Sequence, residues 1–156
     1  MIGSIINFVK LPFLLLVIWA ALRFSLGVFF GVPYTPRGNA MFSMVGLTLI
    51  CSIIYGALST RSGFSWMGTL MVGVFIALFA QVLIFLLSVI SLGAGLTDSY
   101  FIHWDSLNIA EGETMGMGAL IQLRFVGILV NAVIGGLAAG LGRLLSGLAP
   151  SSAAQA

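Results

Sequence analysis

The chain has 156 residues, of which 60% are hydrophobic and only 6% are charged. A soluble domain carries roughly 25% charged residues, so this composition excludes an ordinary water-soluble fold and favours one that exposes its surface to lipid. The net charge is only +2 and the basic residues are dispersed along the chain, which excludes a nucleic-acid-binding protein with a clustered basic face.

The first apolar segment, at about 11–32, predicts a membrane-spanning helix. Lys10 lies just before this segment, and a basic residue before an apolar run is also typical of a signal peptide. The residues before Lys10 are already apolar, however, and no small-x-small cleavage site follows, so we expect a retained anchor. Pro12 suits the first turn of a helix. Residues 32–38 contain two prolines and a glycine, which predicts a turn after this span.

Three further apolar segments follow, at about 39–58, 64–92 and 115–145. The segment 64–92 would form a helix of about 43 Å, longer than the roughly 30 Å hydrocarbon core, so it must tilt or project. Cys51 cannot form an intramolecular disulfide, because it is the single cysteine, and we expect it to be a small packing residue. The tail, 149–156, is predicted to be disordered.

The four segments together predict the fold class. Each is long enough to span a bilayer, and backbone inside lipid must satisfy its own hydrogen bonds. The runs do not alternate polar and apolar residues as barrel strands do. The sequence therefore predicts an all-α integral membrane protein with about four transmembrane helices packed as a small bundle. A single transmembrane domain would cover residues 1–148.

Lysine and arginine in the short connections predict the orientation, because cytoplasmic loops are enriched in them. With four spans, Lys10, Arg61 and Arg143 fall on one side of the membrane. Arg37 falls on the other side, together with the polar loop 96–113. We therefore expect a multi-pass protein of the bacterial inner (plasma) membrane with both termini in the cytoplasm.

Small and polar residues recur at four-residue spacing in three of the segments. This spacing keeps each set on one helix face, and small residues let membrane helices approach closely. The stripes predict a packed bundle and leave open whether the packing is within the chain or between subunits. Their members are Thr48, Ser52 and Gly56, then Thr69, Gly73 and Ala77, then Gly127, Asn131, Gly135 and Ala139.

Gln81 and Asn131 each lie near the centre of a span. Amide side chains hydrogen-bond across helices in lipid, so the pair is predicted to join the third and fourth spans. Gln122 is a further polar residue within the fourth segment.

Arg23 and Arg124 are the two arginines within the spans, and a buried cation needs a partner. The end of the first span, the polar loop and the start of the fourth span share one side of the membrane in either orientation. The loop holds all four acidic residues, so we predict a buried charge network there. The alternative for both arginines is snorkelling to the headgroups. The candidate carboxylates are Asp98, Asp105, Glu111 and Glu113.

The aromatic run 100–105 within this loop is typical of an interfacial segment, since Trp and Tyr favour the headgroup level. A metal site or a proton relay built on His103, Asp105, Glu111 and Glu113 is the alternative. One histidine with scattered carboxylates matches no metal-ligand spacing. We therefore expect no catalytic residue, no metal and no cofactor.

Three functions are compatible with this pattern. The first is a non-catalytic membrane protein, a small subunit of a membrane complex or a homo-oligomer, whose partners are the lipid bilayer and other membrane subunits or itself. The second is a small oligomeric transporter or channel with Arg23 and Arg124 near the path. The third is a membrane enzyme acting on lipid or quinone, with His103 and the acidic residues at its site.

Overall fold

A computed structural model of the chain describes residues 2–34 and 43–147. Arg37, the beginning of the predicted second span at 39–42 and the predicted disordered tail 149–156 lie outside these residues. Over the two described ranges the regular secondary structure is entirely helical. The helices are α1 (Ile2–Phe8), α2 (Lys10–Val28), α3 (Met44–Arg61), α4 (Trp66–Gly93), α5 (Trp104–Leu107) and α6 (Met117–Ser146).

Four of these helices, α2, α3, α4 and α6, are long and apolar enough to cross a membrane. The prediction of an all-α membrane bundle with four spans is therefore confirmed, and the protein is a multi-pass membrane protein. The outer surface of the bundle is apolar, as lipid requires. Its exposed large apolar side chains include Leu14 and Ile18 on α2, Ile54 on α3, and Val133 and Leu137 on α6.

The helix ends follow local chemistry that hydropathy does not show. Helix α2 ends at Val28, before two exposed phenylalanines and Gly31, whose φ of +58° lies in the left-handed region. These residues are apolar, which is why the first span was expected to continue to residue 32. Ser43 and Ser65 cap α3 and α4, because each Oγ accepts a 3.2 Å hydrogen bond from a first-turn amide.

Helix α1 folds against one end of the bundle and is followed, after Val9, by α2. Its Ile5 is fully buried. The Phe8 ring contacts the rings of Tyr55 and Phe64, with centroids 5.2 and 5.0 Å apart. Aromatic contacts of this kind close the end of the bundle that carries the α3–α4 turn.

Helix α6 lies against α3 and α4 with its backbone in contact with theirs. A Cβ atom on Gly56 would collide with the carbonyl of Ala139, and one on Gly73 would collide with that of Gly135. Likewise, a Cβ on Gly142 would meet the carbonyl of Ile53. These contacts lie within one chain, so they hold the bundle together without a second subunit.

The remaining stripe residues have different environments. Ala77 faces Gly135, where an added Cβ would lie 2.5 Å from the Ala77 Cβ. Thr48 Oγ1 donates to Met44 O in its own helix at 2.7 Å. Ser52 is buried, and its Oγ has no hydrogen-bond partner among the described residues. An added Cβ on Gly127 would have only ordinary contact, 3.5 Å from Gln81 Oε1.

Candidate functional site

A cavity of about 170 Å³ lies where α2, α3, α4, α6 and the polar loop meet. It brings together the two arginines that the sequence places inside the spans. The described residues around it include no carboxylate. We refer to it as the arginine cavity, and its lining consists of Arg23, Ser43, Met44, Val45, Ile84, Tyr100, Phe101, Ser106 and Arg124.

Arg23 is held by aromatic rings. Its side chain is only 5% exposed, although it lies on a membrane-spanning helix. The guanidinium carbon is 6.0 Å from the ring centre of Tyr34 and 5.6 Å from those of Tyr100 and Phe101. Cation–π attraction from three rings partly replaces the hydration that Arg23 loses. Arg23 also interacts with the Tyr34 hydroxyl through a hydrogen bond.

Arg124 ties α6 to α4 and to the polar loop. Its Nε donates to Ser88 Oγ at 3.0 Å, and its Nη2 donates to the carbonyl of Phe101 at 2.6 Å. A guanidinium has five N–H donors. Three of those on Arg124 therefore have no partner among the described residues.

The polar loop is folded into the end of the bundle. Ser99, Tyr100 and Phe101 are buried, and the Ser99 and Ser91 hydroxyls are 2.7 Å apart. The Tyr100 hydroxyl donates to the carbonyl of Val32 at 2.8 Å. The aromatic run predicted to be interfacial thus supplies a wall of the arginine cavity.

Tyr34, His103 and Asp105 form a cluster beside this wall. The Tyr34 hydroxyl donates to Asp105 Oδ2 at 2.6 Å, and the Tyr34 ring stacks on His103 with centroids 3.8 Å apart. Burial raises the pKa of Tyr34 to about 12, and the bond to Asp105 adds to this effect while Arg23 opposes it. Burial also lowers the pKa of His103, because it disfavours the charged imidazolium.

The four carboxylates of the predicted charge network have different positions. Asp105 acts electrostatically on Arg23, with the Tyr34 hydroxyl bonded to both. Asp98 and Glu111 are exposed. Glu113 is also exposed, and its Oε2 accepts from the amide of Ala110 at 3.3 Å. The structure thus brings Asp105 to Arg23, and the wider network stays a prediction.

The predicted Gln81–Asn131 bond also stays a prediction. Asn131 Nδ2 donates within its own helix, to the carbonyl of Gly127 at 2.9 Å. Gln81 is buried and faces Gly127, which lies one helical turn before Asn131. Within the described residues, no group of three or more His, Cys, Asp or Glu side chains could hold a metal ion.

At the other end of the bundle, Arg143 holds the α3–α4 turn against the end of α6. Its Nη1 donates to the carbonyl of Phe64 at 2.7 Å and to Thr69 Oγ1 at 2.6 Å. The Ser59 hydroxyl lies 2.6 Å from Thr69 Oγ1, and the Trp66 ring centre lies 4.8 Å from the guanidinium. Arg143 was expected only as an orientation signal, and here it is also a structural cross-link.

Sequence reasoning missed the direct partners of both cavity arginines. Tyr34 lies in the turn after the first span, on the side where the acidic loop returns, so the same topological reasoning could have found it. Ser88 lies in an apolar run with no distinguishing signal, and the carbonyl of Phe101 carries none at all.

The sequence matches no protein-family model, no curated protein and no solved structure. Fold and site define a class: a multi-pass membrane protein whose described residues include four spanning helices, with an arginine-lined cavity at one end of the bundle.

Proposed function

We propose that the protein is a non-catalytic membrane subunit, in a homo-oligomer or in a complex with another membrane protein, and that the outward face of α6 contacts the partner. The observation that carries this proposal is Gln122. Its side chain is exposed on α6, beside the exposed apolar side chains of Phe125, Val126 and Leu129.

Gln122 lies on the outward side of α6, near the end of the bundle that carries the arginine cavity. It lies two residues before Arg124, so it is at nearly the level of the arginine cavity. A neighbouring helix packed on this face can give the amide a hydrogen bond, as polar side chains do between membrane helices. Such a bond contributes roughly 0.6–2 kcal/mol in membranes. A partner subunit packed on α6 would satisfy the amide.

Native mass spectrometry of the protein extracted in mild detergent tests this proposal. We expect an oligomer or a co-purifying membrane protein that Gln122→Leu weakens and Gln122→Asn retains. Val133→Trp adds bulk to the same exposed face of α6, and Ile54→Trp adds it to the exposed face of α3. The first should disrupt the assembly and the second should not. A monomer in every preparation, or equal effects of the two tryptophans, would contradict the proposal.

We further propose that the protein lies in a bacterial inner membrane with both termini in the cytoplasm. Lys10, Arg61 and Arg143 then occupy the cytoplasmic end, and the arginine cavity lies toward the opposite surface. Cysteine labelling tests the orientation, with Cys51 replaced and a single cysteine introduced at Asn108, which is exposed. Labelling of this position only from the cytoplasmic side would reverse the orientation.

Transport of an anion is the second candidate, favoured by the presence of Arg23 and Arg124 in one cavity. Binding without passage fits the packing better. Between α6 and its neighbours, glycine contacts such as Gly73–Gly135 bring the backbones together, and beside α2 the stacked rings of Phe13 and Phe79 fill the interface. Anion flux into liposomes that depends on Arg124 would establish transport instead.

A further inference from the structure

We infer that the arginine cavity is a binding site for a phosphate-type oxyanion, either free or on a lipid headgroup. This site goes beyond the role of a membrane subunit and does not depend on it. Arg23, Arg124 and the beginning of α3 supply the binding groups.

The charge balance of the cavity favours an anion. Two guanidinium groups line it, and the described lining residues include no carboxylate. Asp105, which lies outside the lining, acts on Arg23 and is not among the groups that act on Arg124. Arginine does not deprotonate in proteins, so both groups retain their charge despite burial. The charge of Arg23 acts unfavourably on Arg124. An anion between them converts this repulsion into two attractions.

Hydrogen-bonding capacity points to an oxyanion. Arg124 uses two of its N–H groups on Ser88 and on the carbonyl of Phe101, and three more are available to a ligand. These two bonds also fix the plane of the guanidinium. Arginine held in this way binds phosphate and carboxylate oxygens in pairs, through parallel N–H donors.

The beginning of α3 adds a third positive contribution. Ser43, Met44 and Val45 line the cavity, and they are the N-cap and the first two residues of this 18-residue helix. First-turn amides have no acceptor within their helix, and the helix dipole makes this end positive. The Ser43 side chain accepts from the amide of Gly46, and the amides of Met44 and Val45 have no acceptor among the described residues, so they can bind a ligand.

Geometry favours phosphate over carboxylate. The donors lie on α2, α3 and α6, so they approach the cavity from different directions. A tetrahedral phosphate presents oxygens to all of them, whereas a planar carboxylate presents two oxygens in one plane. The volume of about 170 Å³ is several times the roughly 30 Å³ that one water occupies in the liquid, so such a group fits.

The depth of the cavity admits both sources of phosphate. Arg23 lies five residues before the end of α2 at Val28, which is about 8 Å along the helix. The site is therefore just below the membrane surface, within reach of a lipid headgroup or of a small anion from water.

Protection of arginines from phenylglyoxal, a reagent specific for arginine, tests the inference on the unmodified protein. Mass spectrometry of the labelled peptides follows each arginine separately. At saturating phosphate and constant ionic strength, we expect labelling of Arg124 and Arg23 to slow by at least about tenfold. Labelling of Arg61, which is exposed at the other end of the bundle, should not change.

Two arms distinguish the sources. One adds inorganic phosphate to the protein in detergent, and the other compares nanodiscs of phosphatidylglycerol with an uncharged detergent micelle. Protection in the first arm alone identifies a free phosphate, and protection in the second alone identifies a lipid headgroup. Protection in both arms shows a site that accepts either source. If the labelling rates of Arg124 and Arg61 change equally in both arms, the inference is overturned.

Thermal unfolding is a second test of phosphate binding, and it is needed if the cavity arginines react too slowly with phenylglyoxal even without ligand. Phosphate or phosphatidylglycerol should raise the unfolding temperature of the wild type and of Arg61→Gln equally. In Arg124→Gln we expect binding at least about tenfold weaker, because a charge-assisted contact is lost. An equal response of Arg124→Gln and Arg61→Gln, or no response in any variant, would overturn the inference.

Discussion

The Tyr34 hydroxyl donates a 2.6 Å hydrogen bond to Asp105 Oδ2, across 71 positions of the chain. The same hydroxyl is hydrogen-bonded to Arg23, and the Tyr34 ring stacks on His103. One side chain therefore connects a buried cation on α2 with a carboxylate of the polar loop. We expected Arg23 to attract an acidic residue of this loop. In the structure that residue is Asp105, and the Tyr34 hydroxyl is hydrogen-bonded to both Arg23 and Asp105.

Tyr34→Phe removes the hydroxyl and keeps the ring. We expect it to lower the free energy of unfolding by about 1–3 kcal/mol, because the hydroxyl bonds two charged groups, Asp105 and Arg23. Asp105→Ala should have a smaller effect in the same direction, and the double variant should lose less than the sum of the two, because the changes share the Tyr34–Asp105 bond. Chemical unfolding in detergent measures this. Tyr100→Phe, which loses the bond to the carbonyl of Val32, is the control, and its effect should add to that of Asp105→Ala. Strict additivity of the Tyr34 and Asp105 changes would contradict the link.

The stability of the protein should fall as the pH falls below about 6.5. Burial lowers the pKa of His103 in the fold below its ordinary value of 6.5, so the unfolded chain binds the proton more readily. The contribution of neutral His103 is thus present above pH 6.5 and is lost as the pH falls toward the lower pKa of the fold. Arg23 adds to this effect, while Asp105 and Glu111 oppose it.

His103→Gln isolates this effect, because glutamine does not titrate and the carboxylates remain. Unfolding temperatures of both proteins between pH 8 and pH 5 provide the measurement. The wild type should lose more stability than the variant over this range. Parallel curves would show that His103 has the same proton affinity in the folded and unfolded states.

Gly73→Ala should destabilise the bundle by about 1–3 kcal/mol, the usual cost of overpacking. The added methyl group would collide with the carbonyl of Gly135 on α6, and backbone cannot move aside as a flexible side chain can. Gly118→Ala is the matched control, since no atom lies within 4 Å of its added Cβ. Its unfolding temperature should equal or exceed that of the wild type. Equal effects of the two substitutions would show that α4 and α6 are not in backbone contact.

Arg143→Gln should lower the free energy of unfolding by about 2 kcal/mol, because charge-assisted bonds to the Phe64 carbonyl and Thr69 are lost. Arg61→Gln removes the same charge from an exposed position nearby and should have little effect. Unfolding in detergent compares the two. A loss of stability common to both variants would indicate a general charge effect rather than a cross-link.

The four spans could be predicted because each apolar run is long enough to cross a bilayer, and topology placed Arg23 and Arg124 on one side of the membrane without showing that they share a cavity. The end of α2 at Val28 could not be predicted, because Phe29 and Phe30 are as apolar as the helix they follow. The partners of Arg124 were also beyond sequence reasoning. Any residue can supply a backbone carbonyl, and Ser88 becomes a partner of Arg124 only when α6 packs against α4.

The glycine contacts of α6 have a mechanical consequence. Backbones in direct contact interlock, so α3, α4 and α6 form a stiff frame whose members cannot slide without breaking many contacts at once. Helix α2 joins this frame with far fewer contacts, through side chains such as the stacked rings of Phe13 and Phe79. Of the two charged walls of the arginine cavity, the wall bearing Arg124 is therefore the more firmly anchored, and any change in the width of the cavity should come from a shift of the wall bearing Arg23.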